Sequence, residues 1–190
     1  GGNAIDALVA ASFAVAVGEP TVTSLVGGGM LVVRSARTGQ VSVCDFFANA
    51  PLLNDDEVPQ LDFYGIDLSY GPTTQAFHVG AGSAGVPGVI PGLCKSLERW
   101  GSMDLATVVR PACAMLREGR PLGPRQAAMA QFLEPILTVK EKPRSIFAPG
   151  GRYLQSGDIF RLPELADTIE ALAKNGWQNY YDTVLCPQML

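Results

Sequence analysis

Apolar residues in the first part of the chain recur at helical spacing: Ile5, Leu8, Val9, Phe13 and Ala16. Asn3 stands ahead of them as an N-cap, and Gly18, Glu19 and Pro20 close the run, so the pattern predicts a helix through about Val17. The remaining positions are small (Ala4, Ala7, Ala10, Ala11, Ser12, Ala14), which predicts a helix packed closely against a sheet. After the loop TVTSLVGGGM the period changes to two. MLVVRSA and VSVCDFF alternate like strands and flank Arg37-Thr38-Gly39-Gln40, a short connection that suits a hairpin with a bulge. Neighbours on a strand face opposite ways, so Phe46 and Phe47 cannot both enter one core.

Residues 52–76, with Asp, Asn, Pro and Tyr, read mostly as loop, and AFHVGAGSAGVPG as a short strand entering a glycine-rich turn. Beyond it the pattern is helical near 90–100, 104–118, 124–133 and 163–174. Stop signals follow at Gly101, Gly119, Pro135 and Gly176, and Pro111 is expected to kink or restart the second helix. A helix, a hairpin, a strand and then a helical block give an α+β class of mixed layers rather than a regular βαβ array.

Composition narrows the function classes. The 190-residue chain is 47% apolar and 17% charged, below the roughly 25% charged of an ordinary soluble domain. A chain of this kind buries much of its surface. Net charge is −4 with 14 Lys and Arg, and no basic cluster suits nucleic acid. No uninterrupted apolar run is long enough to span a membrane; the nearest, IDALVAASFAVAVG, contains Asp6 and lacks the basic leader of a signal peptide. Gly1-Gly2 would suit the end of a preceding helix, and the tail YYDTVLCPQML has no closing element. We therefore expect an incomplete piece of a longer chain. The compartment does not follow from these residues.

Candidate chemistry is sparse. Cys44, Cys94, Cys113 and Cys186 form no CxxC or Cys/His pair, so core thiols are expected and a zinc site is not. Gly27-Gly28-Gly29 matches neither phosphate-loop spacing and precedes a strand, which suits close backbone approach or a free loop near a site. His78 is the single histidine. Ser83 and Asp67 could complete a triad by residue type alone, and an ordinary hydrogen-bonded histidine is the simpler expectation. Asp45 lies between apolar neighbours on a strand, where a structural carboxylate is expected. Ser102, Asp104 and Asp158 read as capping and turn residues. No catalytic residue, metal ligand or cofactor site emerges from this reading.

Four stretches nevertheless resemble one family. GGNAIDALVAASFAVAVGEPTVTSLVGGGM, CDFFANAP, GAGSAGVPGVIPGL and RPACAMLREGRPLGPR are similar, in order and spacing up to about residue 135, to the large-subunit portion of the gamma-glutamyltranspeptidase family. The resemblance implies an N-terminal-nucleophile hydrolase fold, a four-layer αββα sandwich, of which residues 1–190 would be one incomplete domain with a helical C-terminal half. It also implies a precursor that cleaves itself, a small subunit of the same precursor as partner, and a threonine nucleophile outside this chain. The substrate would be a small gamma-glutamyl or acyl amide, with no cofactor and no nucleic acid. In typical members the strand-end motif runs Asp-Phe-Arg-Glu-x-Ala-Pro, and its Arg grips the substrate's α-carboxylate. Here Asp45, Phe46, Ala50 and Pro51 match, but Phe47 holds the Arg position and Ala48 the Glu position. Phe47 and Asn49 are the candidate substrate-binding residues, with Phe46 turned to the core. The loss of the Arg leaves three readings open: a gamma-glutamyl hydrolase or transferase, an acylase for a less polar acyl group, and a non-catalytic homologue.

Overall fold

The computed structural model describes residues 1–51, 62–185 and 187. They gather into two compact units. The first comprises residues 1–49, 87–120 and 160–190, and the second comprises 50–86 and 121–159. The class is α+β, as expected.

In the first unit the helices α1 (Ala4–Gly18), α2 (Val89–Trp100), α3 (Leu105–Glu118) and α7 (Pro163–Asn175) surround one core. Val9, Phe13, Leu116 and Ala166 are wholly buried there, with Val109 and Leu172 almost so. α1 departs from expectation, because it packs chiefly on α3 and α2 rather than on a sheet. The large residues Val9 and Phe13 fill the space between helices, while the small residues Ala7 and Ala11 lie on the exposed side. Pro111 does not restart α3, which runs unbroken through it. Cys94 and Cys113 are core thiols, Cys44 is half-buried, and Cys186 lies outside the described residues.

The start of α1 is tied to the connection between α2 and α3. Asn3 and Asp6 form a reciprocal capping box: the Asn3 side chain accepts from the N–H groups of Ile5 and Asp6, and the Asp6 carboxylate accepts from the Asn3 N–H at 2.6 Å. Asp6 also accepts from the Ser102 hydroxyl (2.6 Å) and the main-chain N–H groups of Ser102 (2.8 Å) and Met103 (3.1 Å). Asn3 Nδ2 donates to the Trp100 carbonyl. The Ser102 hydroxyl, aided by the three N–H groups and opposed by burial, holds the Asp6 carboxyl down at about 2. A carboxyl depressed on folding stabilises the fold fully above its unfolded value of 3.8, and that contribution is lost as pH falls through about 2. Asp6→Asn is therefore expected to lower the unfolding temperature at neutral pH, with the gap to wild type closing between these two values. A gap that stays constant over that range would show that Asp6 is not held in its charged form.

Two hairpins supply the longer strands. β1 (Gly29–Arg34) and β2 (Val41–Phe46) pair antiparallel in the first unit, as the alternation predicts. Their inner face carries Leu31, Val33, Cys44 and Phe46, all half-buried, and β2 packs against α2. Their outer face carries Met30, Val32, Val41 and Val43, each 57–67% exposed. The second hairpin, β3 (Tyr64–Ser69) with β4 (Thr74–Val79), corrects the loop expected over much of 52–76. Residues 52–61 of that stretch lie outside the described residues. Tyr64, Ile66 and Leu68 alternate with Gly65, Asp67 and Ser69 in β3, but only Leu68 is buried there, and none of β4. In the same unit Tyr70 meets the ring of Phe132 edge-on, within α4 (Pro124–Phe132).

Short helices α5 (Glu134–Leu137), α6 (Glu141–Phe147) and α8 (Trp177–Tyr180) were not foreseen. Asp104 caps α3 by accepting from the Thr107 N–H, and Asp158 holds a turn through the Gln155 N–H and Arg152, so both act as capping and turn residues. Among the described residues no helix is long and apolar enough to cross a membrane.

Candidate functional site

The strand end at Phe46–Ala48 is closely framed by glycines. Phe46 turns inward and packs against the core, whereas Phe47 is 61% exposed. Glycines close on this segment from two sides. A Cβ on Gly28 would overlap the Ala48 nitrogen and lie 2.8 Å from the Phe47 carbonyl carbon. A Cβ on Gly29 would lie 2.8 Å from the Phe46 ring. From the other side, a Cβ on Gly88 would overlap the Phe46 carbonyl oxygen, and one on Gly92 would overlap the Phe46 ring. The two glycine segments are joined directly, since the N–H groups of Gly88 and Val89 donate to the Gly27 carbonyl at 2.9 and 3.1 Å. The close-approach reading of the glycine run thus holds: side chains are absent where backbones must meet.

Asp45 is exposed, and its Oδ1 accepts from the Phe47 N–H at 3.0 Å. This local turn bond suits a strand end, where the β1 ladder finishes at Gly29 opposite Phe46. Asn49 is exposed with its Nδ2 at 3.5 Å from the Phe47 carbonyl, too long to hold the amide firmly. Phe47 and Asn49 are both exposed and lie two residues apart just beyond β2, where the backbone of Asn49 forms an isolated β-bridge.

The other candidates do not converge. His78 is exposed on β4 and stacks on the Phe63 ring at 4.6 Å and 6°, so among the described residues its partner is a ring rather than the hydrogen-bonding group expected. The Ser83 hydroxyl donates to the Gly80 carbonyl, and Asp67 is exposed opposite Ala76. These three residues form no triad. A cavity of about 240 Å³ lies elsewhere in the first unit, lined by Cys94, Glu98, Asp104 and Trp177 among others, and neither Phe47 nor Asn49 lines it. Its chemistry is spent internally. Trp177 Nε1 donates to Glu98, and burial, with Glu98 adding to it, pushes the Cys94 thiol up to about 12, far from a reactive thiolate. No group of three His, Cys, Asp or Glu residues among the described residues could hold a metal ion.

What the sequence reading missed is the frame: the grip of Gly88 and Gly92 on Phe46, and the bond from the Phe47 N–H to Asp45. The second carries a local signal, an Asp two residues ahead of the strand's exit, while the first depends on contacts more than forty residues apart.

The gamma-glutamyltranspeptidase family model matches residues 1–190. The chain belongs to the gamma-glutamyltranspeptidase family. It is 30% identical over 190 residues to a glutathione hydrolase proenzyme of Escherichia coli (strain K12), covering 100% of this chain and 32% of that protein. It is also 31% identical over 176 residues to the acylase ACY 1 proenzyme of Pseudomonas sp. (strain SE83), covering 93% of this chain and 31% of that one. The crystal structure of Helicobacter pylori gamma-glutamyltranspeptidase superimposes with a TM-score of 0.79 at 28% identity, over 100% of this chain and 52% of that one. The fold is thus the one implied by the four motifs, that of the large-subunit part of an N-terminal-nucleophile hydrolase. The chain spans about a third of the length of the curated gamma-glutamyltranspeptidase-family relatives it matches.

Proposed function

We propose that this chain is the large-subunit portion of a self-cleaving amide hydrolase and acyl transferase that acts on gamma-glutamyl compounds such as glutathione. The family match over the whole chain carries this reading. The nucleophile is placed outside this chain, on a threonine freed by cleavage at the start of the small subunit. Its hydroxyl adds to the amide carbonyl, its own amine takes the proton, and the leaving amine departs with a proton. The acyl group then passes to water or to an acceptor amine. Oxyanion donors also belong to the small subunit. In this reading the outer face of the β1–β2 hairpin, apolar and exposed here, is where that subunit packs.

The contribution of the present chain is to line the acyl pocket with Phe47 and Asn49. A ring at position 47 cannot pair with an α-carboxylate. The lost charge-assisted hydrogen bond is worth roughly 1.5–3 kcal/mol, or on the order of tenfold to a hundredfold in affinity. The exposure of Phe47, together with the likeness to an acylase proenzyme, favours a second reading: an acylase for a less polar acyl group.

The experiment is a pair of steady-state titrations on the complete, processed protein, with a gamma-glutamyl amide and a neutral acyl amide, for wild type and Phe47→Arg. The variant is expected to gain on the gamma-glutamyl amide. It should lose on the neutral one, where an unpaired cation would enter the pocket. Full recovery is not expected, because Ala48 also departs from the family's motif. Equal specificity ratios would remove Phe47 from the site, and turnover of neither amide would leave a non-catalytic homologue.

A further inference from the structure

The outward row of β2 runs Val41, Val43 and Asp45, with Met30 and Val32 facing it across the hairpin, and Phe47 follows just beyond the strand. Asp45 is the one polar residue of β2 in an otherwise apolar row. The residue opposite, Met30, offers it neither a charge nor a side-chain donor. What Asp45 does is accept the N–H of Phe47, the first residue beyond the last pair of the ladder. The backbone on either side of that N–H is already confined: the Phe46 carbonyl by Gly88, and the junction of Phe47 with Ala48 by Gly28. The Phe46 carbonyl and the Phe47 N–H belong to one planar peptide: Gly88 blocks its movement on the carbonyl side, and the Asp45 bond keeps it from tilting away. Such a tilt would swing the Phe47 ring, which no burial restrains.

We infer that Asp45 is a positioning residue, which sets the acyl preference of the site by fixing the direction of the Phe47 ring through its main-chain N–H. This rests on the reading that Phe47 lines the acyl pocket. The role needs an acceptor oxygen and not a charge. Asn at this position can take the same turn and accept the same N–H, and Ala cannot.

The test compares Asp45→Ala, Asp45→Asn and Phe47→Ala in the complete, processed protein, with kcat and KM measured on a gamma-glutamyl amide and a neutral acyl amide. Asp45→Ala is expected to move the ratio of the two kcat/KM values by roughly three- to tenfold, the fold-change of about one net hydrogen bond, and chiefly through KM. Asp45→Asn is expected to stay within about twofold of wild type. Because Asp45 is exposed, all three variants should unfold close to the wild-type temperature, so a change in ratio cannot come from lost folding. If Asp45→Asn behaves like Asp45→Ala, or by itself favours the gamma-glutamyl amide, the carboxylate acts by charge and the inference is overturned. If Phe47→Ala moves the ratio and Asp45→Ala does not, the role of Asp45 fails alone. If Phe47→Ala leaves the ratio unmoved, the placement of Phe47 fails, and the inference with it.

Discussion

Phe13→Ala is expected to cost about 3–5 kcal/mol of folding stability, the range for removing a fully buried ring. Phe13 has no exposed surface and lies in the first unit's core cluster with Val9, Val109, Leu116, Ala166 and Leu172, which are 0–1% exposed. These neighbours come from three helices, α1, α3 and α7, so no single side chain can move in to fill the hole. The cost then contains both the transfer of the ring and a cavity term. Leu8→Ala is the internal control. Leu8 lies on the same helix but is 37% exposed, and its loss should cost well under half as much. Denaturant unfolding of the complete protein, followed by tryptophan fluorescence, measures both. Trp177 sits in the same core cluster and reports on it directly. Equal losses for the two variants would mean that α1 is not anchored through its Phe13 face.

Much of this arrangement could be read before the structure, and the exceptions share a cause. The β1–β2 hairpin was legible because Leu31, Val32, Val33, Val41 and Val43 favour strands on both sides of a short loop with Gly39, and a strand has a side-chain period of two, although its outer face is as apolar as its inner one. The opposite fates of Phe46 and Phe47 follow from that period alone. The β3–β4 hairpin was missed although Tyr64, Ile66 and Leu68 alternate with Gly65, Asp67 and Ser69, because the run is short, is closed by the turn residues Gly71 and Pro72, and leaves most of its positions exposed. Its pairing is held by the ladder rather than by burial, and a ladder leaves little trace in residue type. Pro111 was expected to interrupt α3 because it removes a donor and crowds the carbonyl four residues earlier. Tertiary packing of α3 against α1 and α7 outweighs that local cost. Around Asp6 only the cap made by Asn3 was legible. The carboxylate's other donors lie 96 and 97 positions further on, where no spacing rule reaches. The site divides the same way. Phe47 was visible as a departure from a motif, whereas its frame of glycines and the Asp45 bond is a property of the fold.

That frame makes the second strong expectation. Gly88→Ala should destabilise the protein by about 1–3 kcal/mol or more, although the change adds a single methyl group. The cause is not backbone strain, because Gly88 has φ −110° and ψ −18°, which an L-residue adopts freely. The added carbon would overlap the Phe46 carbonyl oxygen and stand 2.8 Å from its carbonyl carbon. Those are main-chain atoms of a paired strand, and they cannot rotate away as a flexible side chain would. Relief requires α2 to withdraw from β2. That would weaken the bonds from Gly88 and Val89 to the Gly27 carbonyl and loosen the turn that carries Phe47. Stability and acyl preference should therefore change together in Gly88→Ala, unlike in Asp45→Ala, where preference changes alone. Gly18→Ala provides the contrast. Nothing lies within 4 Å of a Cβ there and the residue is helical, so the exchange should be neutral or slightly stabilising. Thermal unfolding of the two variants beside wild type separates the cases. If Gly88→Ala melts with Gly18→Ala, helix α2 does not press on the end of β2, and the frame around Phe47 is looser than the contacts of Gly28, Gly88 and Gly92 require.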